Sequence, residues 1–411
     1  MRIAINAQLD HRGYWGGVEQ FLIGLVHGLG QLSDGDEAYV IVGHWRDADW
    51  LKPHLGANQQ LIHAPREMPA RASPQSNRFT KLQRWLRRLA GAPAIYIPPS
   101  DGYFESLGVD LVHFPYQMLS FCRTPFIYNP HDLQHLHYPD FFSPSEIAAR
   151  ESAMSTACRV ARAVATDAHG VKADVIRHYR VPAQRVFAIP MGAPTQLYET
   201  VTDQTCAATR RKFDLPSAFA LYPAQTWQHK NHLQLIEAIA LLRARDHLIV
   251  NLLCTGAQNE FYRVIAQRVG ELHLEAQVRF LGFIEPTELR ALYHLAQFVI
   301  HPSLFEGGGL PILEAFNEGA PVACAQITSL PEYAGDAALY FDPASVASIA
   351  DAAKRMATDA ALRASLRERG MARVQAFTWE RTARTYRALY RHVAGQKLSA
   401  EDCALLKEAQ K

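Results

Sequence analysis

No apolar run in this chain approaches the ~20 residues of a membrane-spanning helix; the stretch from His247 to Gly256 has the length of a core strand. A signal-peptide pattern is also missing, because Met1-Arg2-Ile3-Ala4-Ile5-Asn6 enters a strand at once. Cysteine is sparse: Cys122, Cys158, Cys206, Cys254, Cys324 and Cys403 are scattered, without Cys-x-x-Cys or zinc spacing. They read as reduced thiols of a cytoplasmic protein. A formal net charge of +2 excludes a strongly basic nucleic-acid binder by composition and leaves room only for a local basic patch. What is present is the 48% apolar and 20% charged balance of a globular chain. Its 411 residues suit two domains of roughly 200 each rather than a single core.

Strand and helix signals alternate in two blocks. In the first, Arg2–Asn6 reads as a strand, followed by a loop with Gly13, Gly16 and Gly17. A helix then carries Phe21, Leu22, Leu25, Val26 and Leu29 on one stripe. Further strands are expected at Tyr39–Val42, Leu111–Phe114, Phe126–Asn129, Ala163–Thr166 and Val186–Pro190, with a helix from Ser145 preceding Ala163. The polar stretch Pro194–Pro216 reads as the connection between domains. The second block restarts at Ala218–Tyr222, with strands at Leu248–Cys254, Val278–Leu281, Phe298–His301, Val322–Ala325 and Ala338–Phe341. These readings give a first domain over residues 1–195 and a second over 196–378. An amphipathic helix of about 379–395 is expected to pack back on the first domain, and the tail 396–411 to be loose. Alternation through both halves argues for two Rossmann-like α/β domains built on parallel sheets.

Open parallel sheets bind ligands beyond the carboxyl ends of their strands, where loops enter helices. Residues 298–314 have this form: a strand ending at His301, a loop with Glu306, Gly307, Gly308 and Gly309, and a helix from Leu310 with Pro311 in its first turn. Glycines permit close backbone approach, and free N–H groups at a helix start favour an anion such as a diphosphate; a tight turn is the plainer alternative. Glu306 precedes the helix and Glu314 stands about one turn inside it. Paired carboxylates beside an anion site suit sugar hydroxyls, since each accepts hydrogen bonds well. A solvated surface is the usual place of a glutamate, but Glu314 lies within the apolar run Leu310–Phe316. Upstream, Lys230 stands at a strand-to-helix turn in Tyr222-Pro223-Ala224-Gln225-Thr226-Trp227-Gln228-His229-Lys230-Asn231. Its ammonium could neutralise a leaving diphosphate, or it is an ordinary helix-start lysine.

Glu306 and Glu314, with Gly309-Leu310-Pro311 between them, resemble the E-x7-E motif of the retaining glycosyltransferase family 4. Lys230-Asn231 and Leu281-Gly282-Phe283-Ile284, followed by Glu285, Leu289 and Tyr293, stand in the family's order, and the resemblance covers nearly the whole chain. It implies the GT-B fold, two Rossmann-like domains facing each other across a cleft, with the nucleotide-sugar donor in the C-terminal domain and the acceptor mainly in the N-terminal one. It implies no cofactor and no bound metal, because positive side chains and helix N-termini stabilise the leaving diphosphate. By position, Lys230 would contact the donor phosphates, Glu314 the ribose hydroxyls and Glu306 the sugar hydroxyls. Backbone N–H groups around Gly308, Gly309 and Leu310 would support sugar and diphosphate, with Ile284 near the base. Two positions depart from the pattern. Gln225 stands where the family commonly has arginine, which leaves less positive charge on the diphosphate. Gly308 replaces a frequent phenylalanine, which predicts a more open loop.

In the first half, the resemblance brings Gly16 and Gly17 to the donor diphosphate, a helix-entry turn being the alternative. Asn129-Pro130-His131-Asp132 resembles the family's His-Asp pair beside the donor sugar, with an imidazole that could donate to a sugar hydroxyl. Thr166–Asp174 resembles the family's loop facing the cleft, with Lys172 as its candidate ahead of His169. Between residues 78 and 90, Phe79, Leu82, Trp85, Leu86 and Leu89 form one helical face and the basic residues lie mostly elsewhere. This suits an interfacial helix on anionic lipid head groups at the inner membrane face, or a core helix with a solvated basic face.

The resemblance further implies domain closure over the donor and front-face transfer with retention of anomeric configuration. Similarity to bacterial polysaccharide transferases in Tyr222–Asn231 and Glu306–Pro311 makes GDP-mannose the first expectation for the donor. The expected acceptor is a saccharide or lipid-linked saccharide of a cell-surface polysaccharide such as lipopolysaccharide, and no nucleic acid takes part. A nucleotide-sugar epimerase or hydrolase of the same fold, or a catalytically silent binding protein, are the alternatives.

Overall fold

Short runs of β-branched and small apolar residues, apolar on both faces rather than alternating, are what buried parallel strands require. The computed structural model of the chain describes residues 1–9, 16–66, 100–198 and 200–411, and builds two such sheets from them. The basic helix expected over 78–90 lies outside the described residues, as do Gly13, Tyr14 and Trp15.

In the first unit, the strands are Arg2–Ala7 (β1), Ala38–Gly43 (β2), Gln59–His63 (β3), Leu111–Phe114 (β4), Phe126–Tyr128 (β5), Ala163–Thr166 (β6) and Val186–Ala188 (β7). They pair in parallel in the order β3-β2-β1-β4-β5-β6-β7, with Ile3 beside both Tyr39 and Leu111. In the second, Ala220–Pro223 (β8), Leu252–Thr255 (β9), Val278–Phe280 (β10), Phe298–His301 (β11), Val322–Ala325 (β12) and Ala338–Phe341 (β13) run parallel in the order β10-β9-β8-β11-β12-β13. Strand order reverses at β1/β4 and at β8/β11. Those are the switch points at which a doubly wound sheet opens a crevice beyond its carboxyl ends.

The first unit comprises Met1–Thr166, Lys172–Ile189 and Ala383–Lys411, and the second comprises Asp167–Val171 and Pro190–Thr382. The helix Trp379–Val393 thus enters the first unit at Ala383. There its Tyr386 and Tyr390 are fully buried on a polar network. His113 Nδ1 lies 2.8 Å from the Tyr390 hydroxyl and its Nε2 lies 3.0 Å from Asn129 Oδ1, while Asn129 Nδ2 donates to Tyr386 at 2.6 Å. Burial holds the His113 imidazole neutral, with its pKa down to about 4.

Three expectations are corrected. The tail is not loose: Ala400–Ala409 is a helix with a reciprocal Ser399/Asp402 capping box, buried Leu406, and an Arg391–Asp402 ion pair at 3.0 Å. The stretch Pro194–Pro216 contains the helix Asp203–Lys212, capped by the Thr202 hydroxyl and closed by Arg210, Arg211 and Lys212, whose charges suit a helix C-terminus. The strand expected from Leu248 begins only at Leu252, because His247 turns left-handed at φ 51° to end the preceding helix and Ile249 remains exposed. None of the described helices is long and apolar enough to cross a membrane.

Candidate active site

In the second unit the candidate residues gather at the β8/β11 switch point. After β8 the chain makes a short turn, Gln228–Lys230, and Asn231 adopts a left-handed conformation (φ 61°) to enter the helix His232–Asp246. The Asn231 side chain donates to the carbonyls of Pro302 (3.0 Å) and Pro343 (2.9 Å) and so ties this turn to the loops after β11 and β13. With its turn fixed, Lys230 Nζ reaches Glu306 Oε1 at 2.7 Å; the two side chains are 17% and 12% exposed. His301, the last residue of β11, donates from Nε2 to the same oxygen at 2.9 Å. A carboxylate can only accept, so His301 carries its proton on Nε2. Burial works against the Glu306 charge, but Lys230 and His301 outweigh it and hold the carboxyl well below the usual range.

His229 and His232 flank this lysine, and burial followed by the Lys230 charge lowers both to about 3. They stay neutral, so Lys230 is the cation facing Glu306. Glu306 itself is anchored through its backbone. Its N–H donates to Thr328 Oγ1 at 3.1 Å, and its carbonyl accepts from the Thr328 and Ser329 hydroxyls at 2.9 Å each. Ser329 also donates to the Gly308 carbonyl at 3.0 Å. The loop is therefore held before the helix Leu310–Asn317 begins with Pro311 in its first turn.

Gly309 is required by close packing: a Cβ there would lie 2.4 Å from the Tyr333 ring. Gly308 does not leave the open loop that its sequence predicts. The space a side chain would enter is filled by Met191, whose terminal methyl lies 2.2 Å from the ideal Cβ position. Glu314 has partners separate from those of Glu306. Its Oε2 accepts from the Tyr293 hydroxyl at 2.6 Å, and burial raises its pKa to about 7 despite that bond, with Glu318 adding to the rise. Glu318 is itself paired with Arg290 at 2.8 Å. Ile284 is buried just beyond Gly282, which adopts φ 74° at the end of β10. Gln225 accepts from the indole of exposed Trp227 at 2.6 Å.

In the first unit Gly16 (φ 53°) and Gly17 form the entry to the helix Gly17–Gly30. His131 is buried with φ 59°, a conformation uncommon outside glycine. Its Nε2 meets the Pro115 carbonyl at 2.8 Å, so Nε2 carries the proton. Lys172 lies not on a loop but in the first turn of the helix His169–Tyr179, buried, with Nζ 3.3 Å from the Ala409 carbonyl of the C-terminal helix. His169 belongs to the second unit, where its backbone N–H donates to Glu332 Oε2 at 2.7 Å. The sequence assigns no role to His301, Ser329 or Met191, and marks Asn231 only as the neighbour of Lys230 in the family's order. His301 had a legible signal as the carboxyl-terminal residue of a strand.

Two all-parallel sheets, each reversing at a switch point, are doubly wound Rossmann-like sheets, and the solved structures this chain resembles place them in the GT-B class of glycosyltransferases. A crystal structure of HepE from Anabaena, in complex with UDP and glucose, has the same fold, with a TM-score of 0.69 at 18% identity over 95% of this chain and 100% of that one. The family model for group 1 glycosyl transferases matches residues 208–373, and that for glycosyltransferase family 4 matches residues 15–197. The chain belongs to this glycosyltransferase family. It is 29% identical to O-antigen chain mannosyltransferase B of Escherichia coli over 61% of its own length and 66% of that protein's. It is 27% identical to D-inositol 3-phosphate glycosyltransferase of Corynebacterium glutamicum over 72% of this chain and 76% of that one.

Proposed function

We propose that the protein transfers mannose from GDP-mannose, with retention of configuration, to a saccharide or lipid-linked saccharide acceptor in cell-surface polysaccharide synthesis. The observation that carries this reading is the largely buried Lys230–Glu306–His301 cluster at the β8/β11 switch point, set beside the glycine loop that opens the helix Leu310–Asn317. An ammonium has three donors, and Glu306 takes one, so Lys230 keeps two for diphosphate oxygens. Backbone N–H groups at Gly308, Gly309 and Leu310 would add donors aligned with the helix dipole. The Glu306 carboxylate, kept charged, would accept from hydroxyls of the transferred sugar, Glu314 from the ribose, and Ile284 would lie against the base. We assign Gly16 and Gly17 to the diphosphate and His131 to a sugar hydroxyl, as the family resemblance implies. No cofactor or metal enters this assignment, and mannose as the sugar rests on the similarity to the O-antigen mannosyltransferase.

In the step itself the bond from the anomeric carbon to the diphosphate oxygen breaks as the acceptor oxygen bonds on the same face. The acceptor proton goes to the departing phosphate. Fixed positive groups lower this barrier because they face charge that develops as the bond breaks. Incubation with radiolabelled GDP-mannose and lipid-linked saccharide acceptors, followed by NMR of the product linkage, tests the proposal. An α-linked mannoside supports it; release of free mannose, epimerised nucleotide sugar, or no turnover with any acceptor contradicts it.

A further inference from the structure

A group of three potential metal ligands lies in the first unit, and none of them belongs to the site described above. His137 ends the short helix Gln134–His137, while Asp174 and His178 lie four residues apart on the helix His169–Tyr179. Residues at that spacing share one helix face. His137 Nε2 is 2.6 Å from Asp174 Oδ2, and His178 Nε2 is 3.8 Å from Asp174 Oδ1. One ligand atom from each of the three falls within 4.8 Å of the others. The side chains are 36%, 18% and 33% exposed, so an ion from solvent can reach all of them.

We propose that these residues bind a zinc ion. Two imidazoles and one carboxylate form a three-ligand set that suits Zn²⁺ and leaves a fourth position for water, whereas magnesium and calcium favour oxygen ligands alone. Bonds of about 2.0–2.1 Å at tetrahedral angles keep ligand atoms roughly 3.3 Å apart. His137 stands 2.6 Å from one aspartate oxygen and His178 3.8 Å from the other, and rotation of the partly exposed side chains brings a single oxygen to that spacing from both imidazoles. Asp174 already presents a different oxygen to each imidazole. The ion would fasten the segment after β5, which carries His131, to the helix after β6, and so brace the left-handed backbone at His131.

The test uses the full-length protein, stripped with a chelator and titrated with Zn²⁺ alone by calorimetry and thermal melting. Wild type and a Cys403→Ser variant are expected to bind one equivalent and to melt at a higher temperature with zinc, while Mg²⁺ has no effect. His137→Ala and His178→Ala, each melting normally in chelator, should lose affinity at least 10-fold, as expected when one of three ligands is removed. Co²⁺ substitution should give visible d–d bands in wild type that are lost in both variants. Equal zinc binding by wild type and His178→Ala, loss of binding in Cys403→Ser, or no saturable site in wild type would overturn the proposal.

Discussion

Replacing Lys230 by alanine separates the two jobs that the switch-point cluster performs. At 2.7 Å the Lys230–Glu306 attraction is about 6 kcal/mol gross at an effective dielectric of ~20, most of it offset by desolvation of both charges. Removal of one member of such a pair leaves a buried charge and costs about 3–5 kcal/mol. Glu306 keeps its bond to His301 at 2.9 Å, which argues for the lower end, about 3 kcal/mol. For a unit of this size that corresponds to a melting temperature about 6–12 °C lower. Turnover should fall about 10²–10³-fold, the usual loss when one group facing developing charge is removed. The double variant Lys230→Ala/Glu306→Gln isolates the catalytic part. A neutral amide still accepts from His301 and leaves no unpaired charge, so most of the stability should return. Turnover should not. Thermal melting and labelled-donor transfer on the three proteins provide the assay. Near-normal turnover in Lys230→Ala, or turnover restored in the double variant, would refute the reasoning.

The remaining predictions rest on the same unit. Glu314 holds its proton more tightly in the folded chain, near pH 7, than the ordinary value of 4.5. Wild type therefore loses stability as pH rises through that window, by at most about 3 kcal/mol above it. Glu314→Gln keeps an acceptor for Tyr293 and should melt higher than wild type at pH 8 but not at pH 4; equal melting at both would contradict the burial argument. Gly309→Ala should cost about 1–3 kcal/mol through overpacking. Its Cβ meets a Tyr333 ring pinned by a 2.8 Å bond to the Asp167 carbonyl and stacked on Phe377. Gly308→Ala meets only the end of the Met191 side chain and should cost less, so equal or reversed losses in melting experiments would show that the loop relaxes.

The sheets were legible because parallel strands buried on both faces form continuous apolar runs, as at Ile3–Ile5 and Phe298–Ile300. β3 was not, since Gln59-Gln60-Leu61-Ile62-His63 is a polar edge strand paired only with β2. The C-terminal helix carried a readable signal, Ser399 followed three residues later by Asp402, which outweighs the presumption that chain ends are loose. Glu306, Glu314 and Lys230 were visible as charged residues at strand-to-helix turns. Their pairing was not fully visible: joining Lys230 to Glu306 needs β8 and β11 to be neighbours, which is a property of strand order. Met191 in the space beside Gly308 and Ala409 over Lys172 are contacts across long stretches of sequence, and no local pattern encodes them.

The central claim, that the Lys230–Glu306–Glu314 site holds a nucleotide-diphosphate sugar, is tested most directly by thermal melting against GDP-, UDP- and dTDP-sugars. A ligand at 100 times its dissociation constant stabilises the folded state by about 2.7 kcal/mol, which is easily read as a shift. GDP-mannose is predicted to give the largest shift in wild type and none in Lys230→Ala. No shift with any nucleotide sugar, or a shift that survives unchanged in Lys230→Ala, would contradict the account.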